Sequence, residues 1–261
     1  MCLTHRQKVD KDMITKTKLE ELAQKYETSD FIKDDPIQFA HRFNNPQDVE
    51  IAAFLASLFA YGNRKVFIKK LNELFEIMEN QPLNFVLNFD PKVLKGFNYR
   101  FAKDFDIIEV FHILHKLYKE DGGLRELFEH GYNLDNSVWT MLQSVVDYFY
   151  SNVKNEVAMG FYHLIPCPKN GGAMKRMNMF LRWIVRKGPV DLGLWEFIPA
   201  SELLIPIDVH VARVSREMGL LSRNSNDFKA VCELTQNLKK ICPKDPVKFD
   251  FAMFGLGVSG E

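Results

Sequence analysis

Apolar residues recur along this chain at helical spacing, three and four positions apart, and alternating strand-like runs bounded by turn residues are hard to find. The pattern predicts an all-α protein. A first helix over about 10–28 is rich in Lys and Glu and carries only a thin stripe of Met13, Leu19, Leu22 and Ala23, as a covering helix does. In NPQDVEIAAFLASLFAYG, Asn45 reads as an N-cap and Pro46 as the first helical residue, and the nearly continuous apolar run behind them predicts a central helix that Gly62 ends. From Arg64 to Met78 a second amphipathic helix turns Phe67, Leu71, Leu74, Phe75 and Met78 inward. Shorter helices are predicted over about 82–89, 105–118, 124–129 and 135–152. After the break HLIPCPKNGG come helices over about 173–187, 209–218 (closed by Gly219) and 227–241, and Asp245 with Pro246 opens a last short one through FDFAMFGLG. No repeat or flexible linker divides these 261 residues. They read as one unit, with residues 1–29 as a cover, a helical subdomain over 30–165 and a second region over 166–261.

Composition adds restrictions. Lysine plus arginine equals aspartate plus glutamate at 34 each, so any affinity for nucleic acid has to come from a local patch. No apolar run approaches the eighteen or so residues of a membrane span, and the polar start MCLTHRQKVDKDM does not read as a secretory signal. Cys2, Cys167, Cys232 and Cys242 are scattered without metal-site spacing, which suits a reducing cytoplasm and argues against an iron–sulfur centre. His112 and His115 stand three apart on a helix, yet FHILHKL reads as ordinary packing and no third ligand is evident. No metal and no cofactor are expected.

Chemistry concentrates in the last third. In PIDVHVARVSREMGL, Asp208 precedes a helical run, where a carboxylate accepts from the first free backbone amides. A plain cap is one reading and a cap that is also a reactive carboxylate is another. In CPKNGGAMKRMNMFLRW, Lys169, Asn170, Gly171 and Gly172 form a turn, and Lys175 with Arg176 opens the next helix. Projected at about 100° per residue, Lys175, Met179, Arg182 and Arg186 share one side, opposite Met177, Phe180, Leu181 and Ile184. That side is either a solvated face or a basic stripe for phosphates whose arginines favour an uncharged, nucleophilic lysine. Lys187, at the far end of the helix, is a second choice of amine. Trp195 and Phe197 either fill the core or sandwich a base together with His210, and Tyr61, followed by Asn63 and Arg64, either packs or stacks.

The segment from Pro206 to Leu220, with Asp208, His210, Val211, Arg213 and the closing Gly219, resembles the catalytic-aspartate segment of the helix-hairpin-helix DNA glycosylase superfamily, endonuclease III and its relatives. The resemblance implies that one aspartate serves as both cap and catalyst. It also implies that a glycine-containing hairpin, here at Asn170–Gly172, grips a DNA phosphate and that a lysine opening the second helix attacks the sugar. Lys175 takes that part. It stands farther from Asp208 than in the endonuclease III layout, where Val190 would be the lysine, and the interval is more similar to that of archaeal 8-oxoguanine glycosylases with an enlarged hairpin region. The helix ending in LASLFAYGNRK resembles the early helix whose following residues fill the gap left by a flipped base, which implicates Tyr61, Asn63 and Arg64. Beyond these, KRMNMFLRWIVRKGPVDLGLW, LLIPIDVHVARV and DPVKFDFAMFGLG resemble, over almost the whole chain, a bacterial family of unassigned function related to these glycosylases.

The expectation is a base-excision glycosylase, with lyase chemistry through a Lys175 Schiff base and Asp208 as the charge-stabilising carboxylate. It acts as a nucleoid-associated cytoplasmic monomer on double-stranded DNA carrying an oxidised purine such as 8-oxoguanine. The contrasting expectation is a nucleic-acid-binding helical protein without turnover. A phosphohydrolase built on helical histidines is disfavoured, because there is no HD dipeptide and the seven histidines are scattered.

Overall fold

The computed structural model describes residues 5–259, with side chains from residue 16 onward. Cys2 and the side chain of Met13 lie outside what it describes. Among the described residues every regular element is helical, and the only β-type pairs are the isolated bridges Tyr99–Ala102, Gly172–Asp227 and Lys187–Leu192. No helix among them is long and apolar enough to cross a membrane.

Chain order follows the predicted order closely. Helix α1 (His5–Tyr26) leads into two 3-10 segments, Ser29–Asp34 and Pro36–Arg42, to which the apolar periodicity assigned no element. The second of these starts because Asp35 accepts the Ile37 amide at 3.0 Å and Pro36 presets the first turn. Helix α2 (Pro46–Phe59) begins as expected, with Asn45 accepting from the amides of Gln47 and Asp48, and every residue from Val49 to Phe59 is buried. Then follow α3 (Arg64–Ile77), α4 (Pro82–Leu87), α5 (Asp104–Glu120), α6 (Leu124–Tyr132) and α7 (Val138–Ser151). The six-residue α8 (Met159–Leu164) escaped the periodicity because it is under two turns long. Helices α9 (Lys175–Val185), α10 (Val209–Glu217), α11 (Phe228–Ile241) and α12 (Phe249–Ser259) complete the order.

One contiguous apolar core runs from Leu19 in α1 to Met253 in α12. Its axis is α2, which packs on residues 36–42, α4 and α9. The covering helix α1 lies along α12 with Leu19 and Ala23 buried, and Tyr26 sits against Gly255, where any Cβ would meet its ring. α12 in turn packs on α10, so the last helix is enclosed on two sides.

The helical projection of α9 fails in an informative way. Arg182 and Arg186, expected on a solvent-facing stripe for DNA phosphates, are 4% and 5% exposed. The irregular segment after α9 folds back over its end, with Leu192 N–H donating to Trp183 O and Leu194 and Trp195 N–H to Ile184 O at 2.7–2.9 Å. This delivers Asp191 to both guanidiniums: Arg182 Nε at 3.3 Å and Arg186 Nη1 at 2.9 Å. Arg182 also pairs with Asp250 of α12, and Arg186 with Glu27 just past α1 and with Asp245 at 2.7 Å. Burial works against both charges, but the surrounding carboxylates outweigh it and hold each guanidinium above its ordinary pKa. Polar periodicity therefore marked a face correctly and misjudged what that face meets. Lys187, the alternative amine, is exposed and pairs with Glu196 at 2.7 Å.

Because removing one member of a buried network strands its partners' charges, Arg186→Met should lower unfolding free energy by about 3–5 kcal/mol in urea titrations. Lys187→Met, at an exposed pair, should leave the unfolding midpoint unchanged.

Candidate active site

A cavity of about 690 Å³ lies where α3, α9 and α10 begin, closed from the other side by residues 31–36 and α12. Lys175 and Asp208, 33 residues apart in sequence, both line it. Asp208 is the N-cap of α10, and both amides it accepts, His210 N–H and Val211 N–H at 2.9 Å each, fall on Oδ1. Oδ2 has no hydrogen-bond partner among the described residues, so capping uses half of the carboxylate. Lys175 is the first residue of α9, set up by Met174 in the left-handed region at φ 51°. Its Nζ reaches Met179 Sδ at 3.2 Å, a weak acceptor, and no carboxylate of the described residues lies within ion-pair distance.

Two acids sit behind them. Asp250, in the wall of the cavity, is pushed up to about 6 by burial against the pull of Arg182; the charge of Asp208 raises it further and that of Lys175 opposes. Asp35, fully enclosed, is raised by burial, with Arg182, Lys175 and Arg64 pulling the other way. Lys175, Asp208, Asp250 and Asp35 therefore form one electrostatic unit, although none of the four pairs directly with another.

The lining is also cationic and aromatic. Arg176 donates to the carbonyls of Leu58 and His163, near the ends of α2 and α8, and its guanidinium lies 5.0 Å from the ring centre of Tyr61. Burial lowers its pKa to about 10. The Tyr61 hydroxyl donates to Tyr99 O at 3.1 Å and is pushed up to about 12 by burial, so it stays protonated. His163 packs edge-on against Tyr61; burial and then Arg176 lower its pKa, and its Nε2 is buried without a partner. Arg64 stands over the Phe254 ring at 5.3 Å. His210 Nδ1 lies 2.9 Å from Gly257 O, and a Cβ at Gly257 would collide with this histidine.

Of the residues singled out in the sequence, the fold thus gathers Lys175, Asp208, His210, Tyr61, Arg64 and Arg176 around one space. Arg182 reaches it only as a neutralised member of the buried network. Asn63 instead caps α3 through the Val66 amide. Lys169, Asn170, Gly171 and Gly172 form an exposed turn outside the cavity, with Gly171 at φ 74° and its carbonyl accepting Phe228 N–H at 2.9 Å. Trp195 is no base-pocket residue: it is 1% exposed, packs on Phe128 and Phe180, and donates to Glu50 at 3.1 Å. Phe197 stacks beside it near Tyr132, also away from the cavity. A large aromatic in an irregular segment found an apolar socket, which burial favours over exposure. Asp35, His163 and Asp250 were not anticipated. Only Asp250 left a readable sign, as the one charged residue in the apolar FDFAMFGLGVS helix.

Residues 35–259 match the family described as "Protein of unknown function (DUF2400)". The chain belongs to this family. No curated protein and no solved structure matches it. The DUF2400 span takes in every residue lining the cavity except Phe31, and leaves out α1.

The raised Asp250 carboxyl binds its proton more tightly in the folded than in the unfolded chain, so its contribution to stability is present at low pH and lost as pH rises from about 4 through about 6. Asp250→Asn has no such loss. Its stability relative to wild type should improve across that interval and stay level above it, read from denaturant titrations at several pH values.

Proposed function

We propose that this cavity is the base-excision site of a DNA glycosylase with lyase chemistry, on a helix-hairpin-helix type of layout in which α8, the turn at 169–172 and α9 form the hairpin. The observation that carries the reading is the sharing of one cavity by the Lys175 amine, free of any carboxylate partner, and the Asp208 carboxylate, with one oxygen uncommitted. A flipped nucleotide fits a concave space of this size. Lys175 Nζ, once deprotonated, forms a bond to the anomeric carbon as the glycosidic C–N bond breaks, and the damaged base leaves with the electron pair and takes up a proton. Opening of the sugar ring then yields the Schiff base. Asp208 Oδ2 stabilises the positive charge that develops on the sugar and takes the proton from the amine. The exposed turn at 169–172 contacts backbone phosphate of the duplex, and the substrate class is an oxidised purine such as 8-oxoguanine.

Borohydride treatment should trap a covalent adduct between the protein and a duplex containing 8-oxoguanine, and Lys175→Ala should abolish it. Asp208→Asn preserves the cap, since asparagine caps as well as aspartate. That variant should keep its unfolding midpoint while its single-turnover rate falls by about a hundredfold or more. If wild type forms no adduct with any oxidised, alkylated or abasic duplex, the proposal fails.

A further inference from the structure

Among the described residues, the two fully buried guanidiniums are saturated with carboxylates. Arg182 and Arg186 are each within ion-pair distance of at least two carboxylates. Arg176 is half-buried and desolvated, yet among the described residues it meets only main-chain carbonyls and the Tyr61 ring. Arg64 and Lys175, on the same cavity, likewise lack any carboxylate at ion-pair distance. Three unpaired cations thus face one space in a chain whose formal net charge is zero. None of the nearest acids forms an ion pair with them: Asp250 is committed to Arg182, and Asp208 and Asp35 accept from backbone amides. The first residues of α3, α9 and α10, namely Arg64, Lys175 and Val209, all stand in the wall, so three positive helix ends add to the field.

A desolvated cation without a counter-charge is costly unless a ligand supplies one. We infer that the cavity holds a phosphate-binding subsite, with Arg176 and Arg64, which line it together with the Lys175 amine, as its anion ligands. Phosphate matches this better than a monocarboxylate, because both guanidiniums present fork-like donors and the Lys175 amine adds a third donor group on the same cavity. Arg176 is preorganised: the two carbonyls that hold it fix its orientation and leave its remaining donors for the anion. The phosphate comes either from a free phosphomonoester or from a nucleic-acid backbone led into the cavity. The subsite does not require amine chemistry at Lys175.

Titration calorimetry at constant chloride tests it with three probes: inorganic phosphate, a 2′-deoxynucleoside 5′-monophosphate and a short duplex oligonucleotide. At least one should bind with one-to-one stoichiometry, and Arg64→Gln should weaken that binding about tenfold or more. Lys119→Gln, on the exposed end of α5, should leave it unchanged. Arg176→Lys should weaken it as well; since Arg176 also holds two helix ends, circular dichroism checks that variant, and Arg64→Gln carries the test if it does not fold. Binding of phosphate and the mononucleotide identifies a phosphomonoester as the source. Binding of the duplex alone, lost in Arg64→Gln, identifies backbone phosphate. If no probe binds wild type, or Arg64→Gln binds every probe as wild type does, the subsite does not exist. Inorganic phosphate has no anomeric carbon to trap, so this result and the borohydride adduct can fail separately.

Discussion

The buried ion network around Arg182 and Arg186 is the constraint on which the rest of the molecule depends. Arg182 on α9 and Arg186 at its C-terminal cap would be prohibitively costly to bury alone, and the fold supplies their counter-charges from four separate places: Glu27 beyond α1, Asp191 in the fold-back segment, Asp245 before α12, and Asp250 within it. Apolar packing would tolerate many small shifts among these elements. Pairs between buried charges do not, because a displacement of a few ångströms strands an ion. The network therefore sets the register of α1, α9 and α12 against one another, and it is α9 and α12 that bring Lys175 and Asp250 to the same cavity.

At the cavity the protein uses the same types of residue differently. Along α9, the arginines at 182 and 186 are saturated with carboxylates, while Lys175 and Arg176, two turns earlier, have none. One helix thus carries a charge-paired end and an unpaired end. Asp208 shows the same economy within a single side chain, with one oxygen holding a helix start and the other uncommitted.

Much of this was legible in the sequence for local reasons. Asn45–Pro46, Asp208 and Gly219 are local signals, and each begins or ends a helix where its chemistry requires, whereas Asn63, read as a DNA contact, is a further cap of the same kind. The pairing of Lys175 with Asp208 came from resemblance and chain order. What stayed hidden was long-range. Nothing around Arg182 indicates that Asp250, 68 residues later, will meet it, and a helical projection has no way to distinguish water from a buried acid on the far side. Trp195 was misread for the same reason: its partner Glu50 lies 145 residues earlier, at the start of a nearly continuous apolar run.

The cavity's walls come from residues 31–36, 60–67, 163–182 and 206–258, so no contiguous half of the chain contains them. During synthesis, a chain lacking α12 has neither Asp250 to complete Arg182 nor Phe254 to back Arg64. The pocket is thus a product of non-local contacts that need the last helix in place. A partly made or truncated chain therefore carries Lys175 without the enclosed cavity that the complete fold builds around it.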